Sequence, residues 1–91
     1  MTRFRKPEAV SAAPAGEALL VVHLDRGTAF RLNGTARLMW DLACEGRTAD
    51  EIAASLADRL AATPERLRAD AAALVAELAS QSLLEPAGDG T

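Results

Sequence analysis

The sequence predicts an α+β domain with a winged helix-turn-helix-like layout, a small three-stranded antiparallel sheet followed by three helices. Three observations point there. Alternation of apolar and polar residues at period two is confined to the first third of the chain. From Asn33 onward the apolar residues recur at helical spacing. Each helical stretch is bracketed by its own start and stop residues. A length of 91 residues allows one domain, because two would each lack a sufficient interior. Residues 18–85 are assigned to that domain, 1–17 to an N-terminal segment with a possible short strand, and 86–91 to a flexible tail.

In chain order, Pro7, Pro14 and Gly16 punctuate the N-terminal segment, leaving Glu8–Ser11 as a short edge strand and Ala12–Glu17 as a loop. Arg3, Arg5 and Lys6 fall in a stretch that reads as frayed. Ala18–Asp25 is the strongest strand, with Leu20, Val22 and Leu24 on one face and Leu19, Val21 and His23 on the other. Arg26-Gly27 offers a tight turn. Thr28–Leu32 then alternates, with Phe30 and Leu32 on one side and Ala29 and Arg31 on the other. Asn33-Gly34-Thr35 offers an N-cap through the Asn or Thr side chain. The first helix runs to about Cys44 on a stripe of Ala36, Met39, Trp40 and Ala43, and Gly46 stops it. Thr48 and Glu51 form a capping box for the second helix, whose buried face is Ile52, Leu56 and Leu60. Thr63-Pro64 opens the third, with a stripe of Leu67, Ala71, Leu74, Val75 and Leu78. Ser80-Gln81-Ser82 ends it, and Leu83-Leu84 turns back onto the core.

Composition narrows the function. Hydrophobic residues are 49% of the chain, but twenty-one are alanine and thirteen leucine, so the core is thin and aliphatic. Such a chain has little material to wall an enzyme cleft of several hundred cubic ångströms. Catalysis needs converging titratable groups, and a single histidine (His23) and a single cysteine (Cys44) supply neither an activated nucleophile nor a zinc site. Asp50, Glu51 and Glu65 read as first-turn charges that complement helix dipoles. The sequence therefore argues against an enzyme and calls for no cofactor or metal. With ten basic and thirteen acidic residues the formal charge is −3, the opposite of the basic excess that phosphate contacts demand, so nucleic acid is not an expected partner. The run Leu19–Leu24 is too short to span a bilayer and no signal peptide is apparent, which places the chain in the cytoplasm with no membrane partner.

Two binding surfaces remain. As a helix-turn-helix, the third helix would be the recognition element, yet it exposes Glu65, Ala69, Asp70, Ala72, Ala73, Ala76 and Glu77 with Arg66 and Arg68 as its basic residues. The stronger surface is Thr28–Leu32. A strand that runs straight into a helix from a small sheet leaves an edge of unpaired backbone groups, onto which an extended peptide can add. A few backbone bonds fall short of micromolar affinity, so the guest must also bury apolar side chains. The third helix would be the wall, with Leu67, Ala71 and Leu74 lining it unless all three are core. A free edge could equally pair with its twin, which allows a monomer or a weak homodimer.

The stretches Phe30-Arg31-Leu32-Asn33-Gly34-Thr35-Ala36, Met39-Trp40-Asp41-Leu42 and Gly46-Arg47-Thr48-Ala49-Asp50-Glu51-Ile52, with Asp70, Leu74, Leu78 and Leu83-Leu84-Glu85, resemble the PqqD-like family over residues 18–85. That resemblance implies a recognition element for the leader peptide of a ribosomally synthesised, post-translationally modified precursor. It implies a non-catalytic protein that takes the leader as an added strand and presents it to a separate enzyme. Carried over by position, Thr28, Ala29, Phe30, Arg31 and Leu32 would form the pairing strand, and Arg66, Leu67, Asp70, Ala71 and Leu74 the helical wall. Arg31 and Asp70 would bracket polar or charged leader side chains. A stand-alone chain of this length resembles the lasso-peptide type, whose partner is a leader peptidase. The alternatives are a stand-alone partner of a radical-SAM enzyme, as in pyrroloquinoline quinone synthesis, a winged-helix DNA-binding regulator, and a purely structural subunit.

Overall fold

The computed structural model describes residues 2–87. Along it run β1 (Phe4–Arg5), β2 (Val10–Ala15), β3 (Ala18–His23), β4 (Ala29–Leu32), α1 (Thr35–Cys44), α2 (Ala49–Ala57), α3 (Pro64–Ser80) and β5 (Glu85–Pro86). The main sheet is antiparallel in the order β2-β3-β4, and β1 pairs with β5 in a separate two-stranded ribbon. This is the expected α+β layout, a three-stranded sheet ahead of three helices.

The N-terminal third departs most from its sequence reading. The stretch expected to be a loop, Ala12–Glu17, is strand as far as Ala15, and β2 begins at Val10 instead of Glu8. Pro14 does not break it, because the register places Pro14 opposite Leu19 in a position whose N–H would point away from β3. Gly16, at φ +66°, takes the first central place of a two-residue hairpin turn that only glycine occupies without strain. β3 ends at His23, two residues before the expected Asp25, and β4 opens at Ala29, with Thr28 still joined to β3 through the His23 N–H at 2.9 Å.

Leu19, Val21 and His23 face inward with Val10 and Leu32, and the helices pack on that side. Each helix contributes its apolar stripe: Met39 and Trp40 from α1, Ile52 and Leu56 from α2, Leu67, Ala71, Val75 and Leu78 from α3. Leu83 and Leu84 close the base, as expected. Two caps form as read, the Thr48–Glu51 box and Thr63, whose hydroxyl accepts from the Arg66 N–H at 3.1 Å. The expected cap on α1 does not form. Its N-cap is Gly34, and neither Asn33 nor Thr35 is used, because the first free amides (Ala36 and Arg37) already bond the Asn33 and Gly34 carbonyls. At the other end Gly46 (φ +90°) and Arg47 donate to Ala43 and Leu42, a two-bond C-cap. Leu60 lies beyond the end of α2 in the connection to α3 and is half-buried. The turn after α3 puts Ser82 at φ +62°, a left-handed position that strains a residue with a Cβ.

The segment with Arg3, Arg5 and Lys6 is tied down instead of frayed. Arg5 pairs with Glu85 at 2.7 Å, Lys6 donates to the Val10 carbonyl at 2.7 Å, and Arg3 grips Glu51 with both terminal nitrogens at 2.8 and 3.1 Å. Pro86, expected in the tail, is part of β5, and 88–91 lie outside the described residues. The Arg3 guanidinium and the Thr48 amide hold the Glu51 carboxyl at about 2, down from 4.5. A carboxyl lowered by folding stabilises the fold above pH 4.5 and loses that contribution as pH falls toward 2. Urea midpoints measured across this range should drop more steeply for the wild type than for Glu51→Gln, which keeps a capping side chain but cannot titrate. Parallel curves would contradict this.

Candidate functional site

The bond from the His23 N–H to the Thr28 carbonyl fixes the phase of the β3–β4 ladder. Antiparallel pairs alternate between hydrogen-bonded and non-bonded, so Val21–Phe30 and Leu19–Leu32 are the bonded pairs and Val22–Ala29 and Leu20–Arg31 are not. The N–H and C=O groups of Ala29 and Arg31 therefore point away from β3. Among the described residues no hydrogen bond engages them.

The opposite edge of the sheet is different. The bond from the Leu24 N–H to the Ala9 carbonyl places Val10, Ala12 and Pro14 with their backbone groups outward. There the Val10 amide is taken by Pro7, its carbonyl by Lys6, and Pro14 has no N–H at all. One edge is blunted and the other is bare. Among the described residues of this sheet, β4 offers a guest strand the more open edge.

Side chains divide the strand by face. Phe30 is half-buried and packs on the core, Leu32 is 1% exposed, and Ala29 and Arg31 are exposed. Leu32, expected in the pairing strand, offers a guest neither its buried side chain nor its backbone, which faces Leu19. The Thr28 hydroxyl oxygen at the head of β4 is buried without a hydrogen-bond partner.

Between the first residue of α1, the α2–α3 connection and the start of α3 lies an open groove of about 580 Å³, lined by Thr35, Leu60, Ala61, Ala62, Thr63, Arg66, Leu67 and Asp70. Of the expected wall residues it brings together Arg66, Leu67 and Asp70. Arg66 Nε sits 3.2 Å from Asp70 Oδ2, and both side chains are more than half exposed, so the pair is weak and free to re-partner with charges on a guest. Ala71, expected to leave room for a guest, is fully buried instead, because it shares the core-facing stripe of α3 with Leu67, which is itself 2% exposed and meets the groove at its edge. Leu74 is half-buried against the core, a turn beyond the groove's last residue, Asp70. The groove's floor, Leu60-Ala61-Ala62, escaped the sequence reading. Its signal is an apolar stretch in a helix connection, where polar residues are the rule.

Among the described residues no group of three or more His, Cys, Asp or Glu side chains could hold a metal ion. Burial, with help from Asp41, pushes the Cys44 thiol up to about 11, so it stays protonated and a poor nucleophile at neutral pH. His23 is buried, and its Nδ1 accepts from the Arg26 N–H at 3.2 Å, which fastens the β3–β4 turn. Among the described residues no helix is long and apolar enough to cross a membrane.

A family model described as Coenzyme PQQ synthesis protein D (PqqD) matches residues 18–84. Two solved structures are similar over nearly the whole chain. TbiB1 in complex with the TbiA(beta) leader peptide is 26% identical, with a TM-score of 0.81 over 93% of this chain and 99% of that one. Lasso peptide synthetase B1 complexed with the leader peptide is 24% identical, with a TM-score of 0.83 over 92% and 99%, a likeness of fold. No curated protein matches the chain.

Proposed function

The chain belongs to the PqqD family, and from that premise we propose that it binds the leader peptide of a ribosomally made precursor as a fourth strand on β4. The observation that carries this reading is the contrast between edges: Ala29 and Arg31 leave four backbone groups open, whereas the β2 edge is capped by Pro7, Lys6 and Pro14. The likeness to TbiB1, a protein seen with a leader peptide, supports it.

Four edge bonds contribute about 4 kcal/mol in all at about 1 each. Micromolar affinity needs about 8 kcal/mol, and lost freedom on association costs at least about 4 more. The shortfall is what two large side chains supply when each buries about 200 Å². The groove at Thr35, Leu60, Arg66 and Leu67, reached along the chain three residues after β4, would take one of them. The leader is therefore held by a short strand plus apolar anchors, and the protein contributes no chemistry of its own. Its finer role is presentation of the leader to a separate enzyme, a leader peptidase of the lasso-peptide type.

A fluorescent leader peptide, taken from any short precursor gene found to neighbour this protein's own, should saturate the protein with a low-micromolar Kd or better. An absence of saturation would refute the reading. Gel shifts with promoter DNA at moderate salt should show no retention, given the −3 charge.

A further inference from the structure

The strands β2, β3 and β4 hold between them no Asp, Glu or Lys and a single arginine, Arg31. The chain around β4 is biased the same way. Between Asp25 and Asp41 it carries Arg26, Arg31 and Arg37 and no acidic residue, whereas the remainder has seven basic residues against thirteen acidic. Arg31 is exposed and makes no ion pair among the described residues. Its ladder partner on β3 is Leu20, with Ala18 and Val22 on the diagonals, so the sheet itself brings it no carboxylate. On its other side lies the bare edge.

A strand added at that edge has a register to find. The open backbone groups belong to Ala29 and Arg31, and backbone bonds are blind to sequence. A guest with alternating side chains can slide by two residues and keep the same set on the same face. Ala29 offers it a methyl group, which tells one register from the next hardly at all. Arg31 does discriminate. The guest residue directly opposite shares its face, with Cβ atoms about 5 Å apart, a spacing that a two-bond guanidinium–carboxylate pair can bridge. The formal charge of −3 does not oppose this, because screening over about 8 Å at physiological salt mutes carboxylates beyond that range.

Resting on the leader-binding reading above, we propose that Arg31 sets the register of the bound leader by pairing with an Asp or Glu side chain that the leader carries opposite it. The ligand class is thus an extended peptide with a carboxylate in its pairing segment. A peptide with lysine or arginine at that point is disfavoured by like-charge contact. Arg31 selects among registers and among peptides, while the backbone groups and apolar anchors supply most of the grip, since an exposed ion pair adds only a modest factor.

The test uses the full chain, the fluorescent leader peptide and versions of that peptide in which each Asp or Glu is replaced singly by Lys. Against the wild type, one replacement should weaken binding about tenfold, through lost attraction and added repulsion together, and the others less than about threefold. Arg31→Glu should bind the unchanged leader about tenfold more weakly and recover to within about threefold of wild type with that one Lys peptide. Arg31→Gln, the milder variant should Arg31→Glu fail to fold, should lose the discrimination, so that the same replacement costs less than about twofold. Circular dichroism checks both folds. Tight binding of a leader that has no Asp or Glu would overturn the proposal. So would equal losses at every acidic position with none recovered by Arg31→Glu, which would make charge a general attraction without a register. If the wild type fails to bind the unmodified leader, the leader-binding reading itself has failed. If it binds and no replacement is rescued, only the role of Arg31 falls.

Discussion

Ala29→Pro is expected to weaken leader binding at least about tenfold while the fold survives. The Ala29 N–H points to the open edge, so proline there removes a donor that the β3–β4 ladder does not use. The lost bond is worth about 1 kcal/mol, and the ring also crowds the line along which a guest backbone must run. Together these exceed the 1.4 kcal/mol of one decade in affinity. Phe30→Pro is the contrasting variant. Phe30 bonds inward to Val21, so the same chemistry one residue along should unfold the hairpin. Arg31→Ala separates the backbone from the side chain: it keeps both outward groups and removes only a charge, so its effect should be smaller and should fade at high salt. Fluorescence anisotropy with the leader peptide, alongside thermal melts, reads all three. Unchanged affinity in a folded Ala29→Pro protein would remove strand addition as the mode of binding.

Trp40→Ala should be the most damaging single truncation to stability. Trp40 is 3% exposed in the core, and truncating a buried tryptophan costs about 3–5 kcal/mol. A domain of this size has about 5–14 kcal/mol in total. At about 4–8 °C per kcal/mol, the melting temperature should fall by at least about 12 °C. The change removes the only tryptophan, so the melt has to be followed by circular dichroism. A drop of a few degrees would mean that α1 can close over the gap. The thin aliphatic composition argues against that, because alanine neighbours have no reach to fill a cavity.

The helical two-thirds of the chain was legible because its signals are local. Thr48 with Glu51, Thr63 with Pro64, and Gly46 each act within a turn of themselves, and all three appear as read. The departures share another character. Whether Pro14 breaks a strand depends on which side of β2 its missing N–H faces, which only the pairing with Leu19 sets. Whether Arg3, Arg5 and Lys6 fray depends on Glu51, Glu85 and the Val10 carbonyl, the first two of them distant in sequence. Leu60 follows the helical period and yet sits past the end of α2, where it packs half-buried against the core and also lines a groove.

By itself, then, the sequence determined the order of the main strands and the three helices, though not the β1–β5 ribbon or the length of β2, because periodicity and caps are properties of short stretches. Only the tertiary structure decided which edge stays bare, and which of the α3 residues reach the groove and which are sealed. Those outcomes rest on ladder phase and on which neighbour arrives from elsewhere in the chain. A single residue's shift in pairing reverses them without altering any local pattern.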